Sequence, residues 1–183
     1  MKMKPPLIFL FFLLFCSSTH ANITVITALE EGGKLIFIRH AYAPGVGDPN
    51  NFNIKDCLTQ RNLDAAGTEQ AKRIGQFFRD NKIAIESVLS SEWCRCKDTA
   101  KNAFKNYKTF NALNSFFSTK FEKNRDKQMQ DLRVFVKNWD SKKNIVFITH
   151  YVVISEILNK NVKSGTIIVA DKNFKVIGTV KKK

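Results

Sequence analysis

The sequence predicts an α/β domain: three layers, α/β/α, with a mostly parallel central sheet and an antiparallel C-terminal hairpin at its edge. Short apolar runs rich in β-branched and aromatic residues alternate with amphipathic helical patterns, as strand–helix–strand units do. The last two runs, in GTIIVADKNFKVIGTV, are joined only by Asp171-Lys172-Asn173, a connection suited to a hairpin. A chain of 183 residues has length for one domain and not comfortably for two.

The chain opens on MKMKPPLIFLFFLLFCSSTHA, with two lysines, an apolar run from Leu7 to Cys16, and small and polar residues ending at Ala21. That is the grammar of a secretory signal peptide, so residues 1–21 are expected to be a leader and residues 22–183 the domain. The run is about half of the roughly 20 residues that span a bilayer, so no stable membrane span is expected once the leader is removed. A periplasmic or secreted protein follows from this reading.

Strands are expected at Lys34–Arg39, Ser87–Ser90, Asn144–Thr149, Thr166–Ala170 and Lys175–Val180. The first is followed by a long loop from Tyr42 to Gln60, rich in Pro, Gly, Asp and Asn. DAAGTEQAKRIGQFFRDN then puts Ala71, Ile74, Phe77 and Phe78 on one helical face, with Asp64 as N-cap. Trp93, Cys96, Ala100 and Phe104 make a second such face, and Met129, Leu132, Val136 and Trp139 a third. A short helix with Val153, Ile154 and Ile157 apolar follows His150.

The formal net charge is +14, which favours anionic partners. The lysines are scattered among asparagines, as in KNAFKNYK, and no basic helix face carries interleaved aromatics, so nucleic acid is not an expected partner. Of the three histidines, His20 falls in the leader. His40 and His150 each end an apolar strand-like run, KLIFIRH and NIVFITH. The carboxyl ends of parallel strands share one edge of a sheet, where ligands bind. Neighbouring strands about 4.8 Å apart would let the two imidazoles face a common point. Arg39 belongs to the same edge, and ESVLSS leads into a helix with Arg95 in its first turns. Two guanidinium forks and a helix N-terminus make an anion site suited to phosphate. No carboxylate stands at ligand spacing from the histidines, so neither a metal nor a cofactor is expected. Ser90 and Ser91 read as turn formers rather than nucleophiles.

These residues carry a resemblance. RHA after the first strand, RNLDAAGTEQA, SSEWCRCKDTA and FITH resemble, in order, the motifs of the histidine phosphatase (phosphoglycerate mutase-like) superfamily, from Lys34 to about Leu158. DC-TQRNL, WCRC and LNSFF look like a small exported bacterial subgroup, and the lipopolysaccharide-core heptose phosphate phosphatases share a similar plan. The resemblance implies a metal-independent phosphatase in which His40 attacks phosphorus while Arg39, Arg95 and His150 hold the phosphoryl oxygens. It implies a small anionic phosphorylated substrate, a sugar phosphate or lipopolysaccharide core. A glycolytic mutase is disfavoured, because an exported enzyme would not meet those intermediates.

The chain departs from that pattern at the proton donor. Where some relatives carry an acid two residues after the nucleophile, it has Tyr42; where others place a glutamate before the second histidine, it has LNSFF. Asp48 and Asp56 are the remaining loop acids, each either the donor or a turn cap. Arg61 is either a secondary phosphate contact or a structural partner of the loop. Without a donor, a phosphate-binding envelope protein that turns nothing over is the alternative, with a binder acting by charge alone a distant third. Outside the leader stand Cys57, Cys94 and Cys96. Cys57 pairs with one of the other two if the loop folds back over the arginine helix; otherwise all three are thiols.

Overall fold

The computed structural model describes residues 25–140 and 142–180, so the leader expected at residues 1–21 lies outside the described residues. Within them, β1 (Leu35–Arg39), β2 (Ile85–Ser90), β3 (Lys108–Thr109), β4 (Asn144–Thr149), β5 (Ile167–Ala170) and β6 (Val176–Val180) form one sheet in the order β3-β2-β4-β1-β5-β6. The pairs β1–β4, β2–β4 and β2–β3 are parallel, while β1–β5 and β5–β6 are antiparallel. The expected architecture is therefore present, with the C-terminal hairpin on one edge.

Central strands covered on both faces must be apolar along their length, and β1 is so up to Arg39 and β4 between Asn144 and Thr149. Alternate residues serve opposite layers. Ile36, Ile38, Val146 and Ile148 pack with α2 (Ala65–Asp80) and α3 (Cys94–Phe104) on one face. Leu35, Phe37, Ile145 and Phe147 pack with α5 (Arg125–Asn138) and α6 (Tyr151–Leu158) on the other. Asp64 caps α2 as expected, its carboxylate accepting from Gly67 N at 2.7 Å. The polar side chain at the amino end of β4, Asn144, is fully satisfied. Its amide donates to Leu29 O at 2.7 Å and Ala84 O at 2.9 Å and accepts from Lys34 N at 3.1 Å.

Four features were not expected. Residues 25–31 form a helix, α1, whose Val25, Ala28 and Leu29 are buried in i, i+3, i+4 spacing. Val25 lies where a Cβ on Gly178 of β6 would be, 2.3 Å away. A two-residue β3 extends the sheet beyond β2, and a single turn, α4 (Thr119–Glu122), sits between β3 and α5. The hairpin turn is longer than three residues: Asp171 accepts from Asn173 N and Lys175 N, each at 2.9 Å, and Phe174 takes a positive φ of 61°. No helix of the described residues is long and apolar enough to cross a membrane.

Helices α2 and α3 touch through backbone at Gly75, where a Cβ would stand 2.0 Å from Ala103 O. Alanine is the better helix former by about 1 kcal/mol, yet an overlap with backbone forces the helices apart. Gly75→Ala should destabilise the fold by about 1–3 kcal/mol in urea denaturation; an unchanged or raised midpoint would show that the two helices can separate freely.

Candidate active site

β1 and β4 are neighbours in register, Arg39 opposite Thr149, so His40 and His150 leave the sheet side by side, with ring centroids 5.4 Å apart. Both are 2 % exposed. The backbone at His40 is held from two directions: its N–H donates to Thr149 O at 2.9 Å, and Gly165 N donates to His40 O at 3.2 Å. His40 Nδ1 lies 2.8 Å from Ala41 O. A carbonyl only accepts, so Nδ1 carries the proton and Nε2 keeps its lone pair. Arg95 Nε donates to that Nε2 at 3.3 Å. Burial, and then the charge of Arg95, hold the His40 pKa well below the ordinary histidine value, which keeps the ring neutral.

The peptide that follows is clamped by residues of α2 and α3. Thr99 Oγ1 accepts from Ala41 N at 2.9 Å and donates to Arg95 O at 2.7 Å. Gln70 accepts from Tyr42 N at 2.8 Å and donates to Ser164 O at 3.1 Å. Gly67 lets the Tyr42 carbonyl come so close that a Cβ there would meet it at 1.9 Å. The Tyr42 side chain, 46 % exposed, does not line the cavity.

His150 is oriented by a residue that reads as a turn former in the sequence. Ser91 Oγ donates to Asn114 Oδ1 at 3.1 Å, so at 2.9 Å it accepts from His150 Nε2. His150 Nδ1 is then the acceptor, facing Arg95 Nη2 at 3.5 Å. Burial first, and then Arg95, hold the His150 pKa well below its ordinary value too. Cys96 Sγ packs 3.4 Å from His150 Nε2, and burial pushes that thiol up to about 12, so it stays protonated.

Arg95 is the second residue of α3 and is 3 % exposed. Its Nη1–Nη2 edge grips Asp48 at 2.7 and 3.2 Å, while its Nε–Nη2 edge faces the two histidines. A guanidinium with one edge tied down and the other facing two imidazoles offers a fixed fork to a phosphoryl group between them. Asp48 also accepts from Arg61 N at 3.1 Å and Trp93 Nε1 at 3.0 Å. Burial alone would raise the Asp48 pKa, but the hydrogen bonds and charge of Arg95, with those two donors, outweigh it and hold the carboxyl below its ordinary value. Asp56 caps the turn Cys57–Thr59, accepting from Leu58 N at 3.0 Å, and does not line the cavity.

Arg39 and Arg61 both line the cavity. Arg39 Nη1 donates to Val162 O at 2.7 Å, and its Nε is buried with no partner. Arg61 donates to Gly47 O at 2.8 Å and to Ala43 O at 2.5 Å, which pins the loop. That loop folds back over α3 through a Cys57–Cys94 disulfide and through Cys94 N donating to Gln60 Oε1 at 2.9 Å; Cys96 is the free, buried cysteine. The cavity is about 730 Å³ in volume, and Asp48 is the one carboxylate among its described lining residues. The described residues contain no group of three or more His, Cys, Asp or Glu that could hold a metal ion.

By sequence the chain matches no family model and no curated protein. By structure it resembles the protein histidine phosphatase SixA in complex with tungstate, at 13 % identity and a TM-score of 0.53, over 80 % of this chain and 92 % of the other. Phosphoglycerate mutase from Thermus thermophilus superposes at 14 % identity and a TM-score of 0.59, over 82 % and 99 % of the two chains. A mutant phosphoserine phosphatase from Entamoeba histolytica, in complex with phosphoserine, does so at 17 % and 0.54, over 74 % and 89 %. The fold is that of the histidine phosphatases and phosphoglycerate mutases.

Two buried neutral histidines make stability depend on pH with a definite sign. The unfolded chain protonates them below about pH 6.5 while the folded chain resists, so stability is full above that value and falls as the pH drops below it. The slope should approach about 2.7 kcal/mol per pH unit for two protons. Urea denaturation between about pH 7.5 and 5 should show it, and the His40→Asn/His150→Asn double variant should flatten it; an unchanged slope in that variant would mean other groups are responsible.

Proposed function

We propose that this chain is an exported phosphatase that hydrolyses a phosphomonoester through a covalent phosphohistidine on His40. The observation that carries the reading is a neutral His40 whose Nε2 lone pair faces the anion-binding edge of Arg95. Nε2 attacks phosphorus, the N–P bond forms as the P–O bond to the leaving group breaks, and water then cleaves N–P to release inorganic phosphate. The Nε–Nη2 edge of Arg95, the unpartnered Arg39 Nε and His150 Nδ1 supply contacts to the non-bridging oxygens, Nδ1 once the arriving dianion favours its protonation. The charge on phosphorus is matched by guanidinium groups, with no metal in the step. Arg61 shapes the wall through its loop carbonyl contacts.

Asp48 is engaged as a carboxylate by Arg95, Trp93 and Arg61, so its role is to position Arg95, not to donate a proton. The reading that a loop aspartate protonates the leaving group loses support at both Asp48 and Asp56. Work outside the cytoplasm is supported by the leader sequence and by the Cys57–Cys94 disulfide. A small anionic phosphorylated molecule is the substrate, and the subgroup resemblance suggests sugar phosphates and lipopolysaccharide core fragments for the first screen.

p-Nitrophenyl phosphate, whose leaving group needs little acid help, should be turned over. His40→Ala should abolish turnover, and acid-quenched wild type given labelled substrate should carry the label on His40. Label on a serine, or turnover by the variant, rejects the covalent-histidine step; phosphate binding without any turnover would mark a non-catalytic binding protein.

Arg95→Ala should lower kcat/KM by about 10² or more, and wild-type kinetics would remove Arg95 from the site. Asp48→Asn should slow p-nitrophenyl and alkyl phosphates by the same factor, because a positioning residue acts on the phosphoryl group common to both. Selective loss of the alkyl ester would restore Asp48 as the proton donor.

A further inference from the structure

We infer that the outer part of the cavity is a leaving-group subsite for an aryl ring, so that the substrates are phosphate esters of phenols. This rests on the phosphatase reading and narrows its substrate class away from sugar phosphates.

A phosphoryl group occupies only the floor of a cavity of about 730 Å³, and the remainder must take the leaving group. One wall of that remainder is aromatic. Phe52 stacks on Trp93 with centroids 5.1 Å apart, and Phe121 meets each of them edge-on at 5.5 Å. On the rim, Phe117 is 50 % exposed and Val46 89 % exposed. They are two of five large hydrophobic side chains exposed among the described residues, and they stand on the same opening. Singly scattered apolar side chains are ordinary, but two of them over an aromatic wall beside a cationic floor fit a ligand with an anionic end and a flat apolar body.

The chemistry points the same way on separate grounds. Asp48, the one carboxylate among the described residues lining the cavity, is held as an anion by the two contacts from Arg95. Without a carboxylic acid among those residues, a leaving group stable as its own anion is favoured. A phenol, with a pKa of about 10 for the tyrosine side chain, yields such an anion far more readily than an alcohol or a sugar hydroxyl does.

Calorimetry with three non-hydrolysable phosphonates tests the subsite independently of turnover. Benzylphosphonate, in which a methylene replaces the ester oxygen of phenyl phosphate, should bind at least about tenfold tighter than methylphosphonate. Phe117→Ala, a half-exposed position, should remove most of that gain and change methylphosphonate affinity by less than about twofold. Phe117→Leu should retain part of the preference. Equal affinity for the benzyl and methyl compounds overturns the proposal, as does a preference unaffected by Phe117→Ala. Tighter binding of 2,3-dihydroxypropylphosphonate than of the benzyl compound also overturns it, in favour of a polyol leaving group. Failure to hydrolyse p-nitrophenyl phosphate would reject the phosphatase reading without touching these affinities, so the two failures are distinguishable. In turnover, 1-naphthyl phosphate should exceed glycerol 1-phosphate in kcat/KM by more than about tenfold, and parity would overturn the aryl assignment.

Discussion

The hydrogen bond from His40 Nδ1 to Ala41 O, 2.8 Å long, decides which nitrogen of the ring is available, and much of the fold serves to keep that carbonyl in place. A histidine cannot choose its own tautomer; the partner of one nitrogen chooses it for the other. The Ala41–Tyr42 segment is held by Thr99 from α3 and by Gln70 and Gly67 from α2. Gly165, before β5, holds the carbonyls of Arg39 and His40 from the other side. Contacts from three places in the chain thus converge on a few peptide groups. Loosening any of them frees the imidazole to turn and lose its aim.

Charge is arranged around that ring to the same end. Arg39, Arg61 and Arg95 line a cavity in which Asp48 is the one carboxylate among the described residues, so an arriving dianion finds an excess of positive charge. Burial first, and then the same cations, suppress protonation of both histidines, which keeps both rings neutral. Asp48 divides Arg95 into two working edges, one structural and one facing the histidines. A buried guanidinium without such a partner would be free to swing and unfavourable to keep desolvated.

The strand ends and the meeting of His40, Arg39, Arg95 and His150 at one cavity were legible in the sequence because a parallel sheet sends its carboxyl ends to one edge. The polar residues that hold them were not. Ser91, Thr99 and Gln70 act through partners as many as 94 positions away, and nothing local marks a serine as the orienter of a distant histidine. Asp48 and Asp56 are equivalent as letters in one loop; only their partners separate a strut for Arg95 from a turn cap. Cys94 and Cys96 differ for a helical reason. Two residues rotate a side chain by about 200°, so Cys94 meets the loop while Cys96 turns toward His150. Helix α1 was missed because VITALEE mixes β-branched residues into a short amphipathic segment, where neither period dominates.

The Cys57–Cys94 bond joins residues 37 apart in sequence and ties the loop that carries Asp48 to α3's first residue. In the chain-entropy picture such closure removes about 4 kcal/mol of freedom from the unfolded chain. The bond also limits how far that wall can stray from α3 in the folded chain, with or without an anion present. A ligand that docks there loses less of its affinity to ordering the loop than it would without the tether. Under the proposed phosphatase reading, a shallow difference between leaving groups would then reach the rate with little lost to ordering the loop.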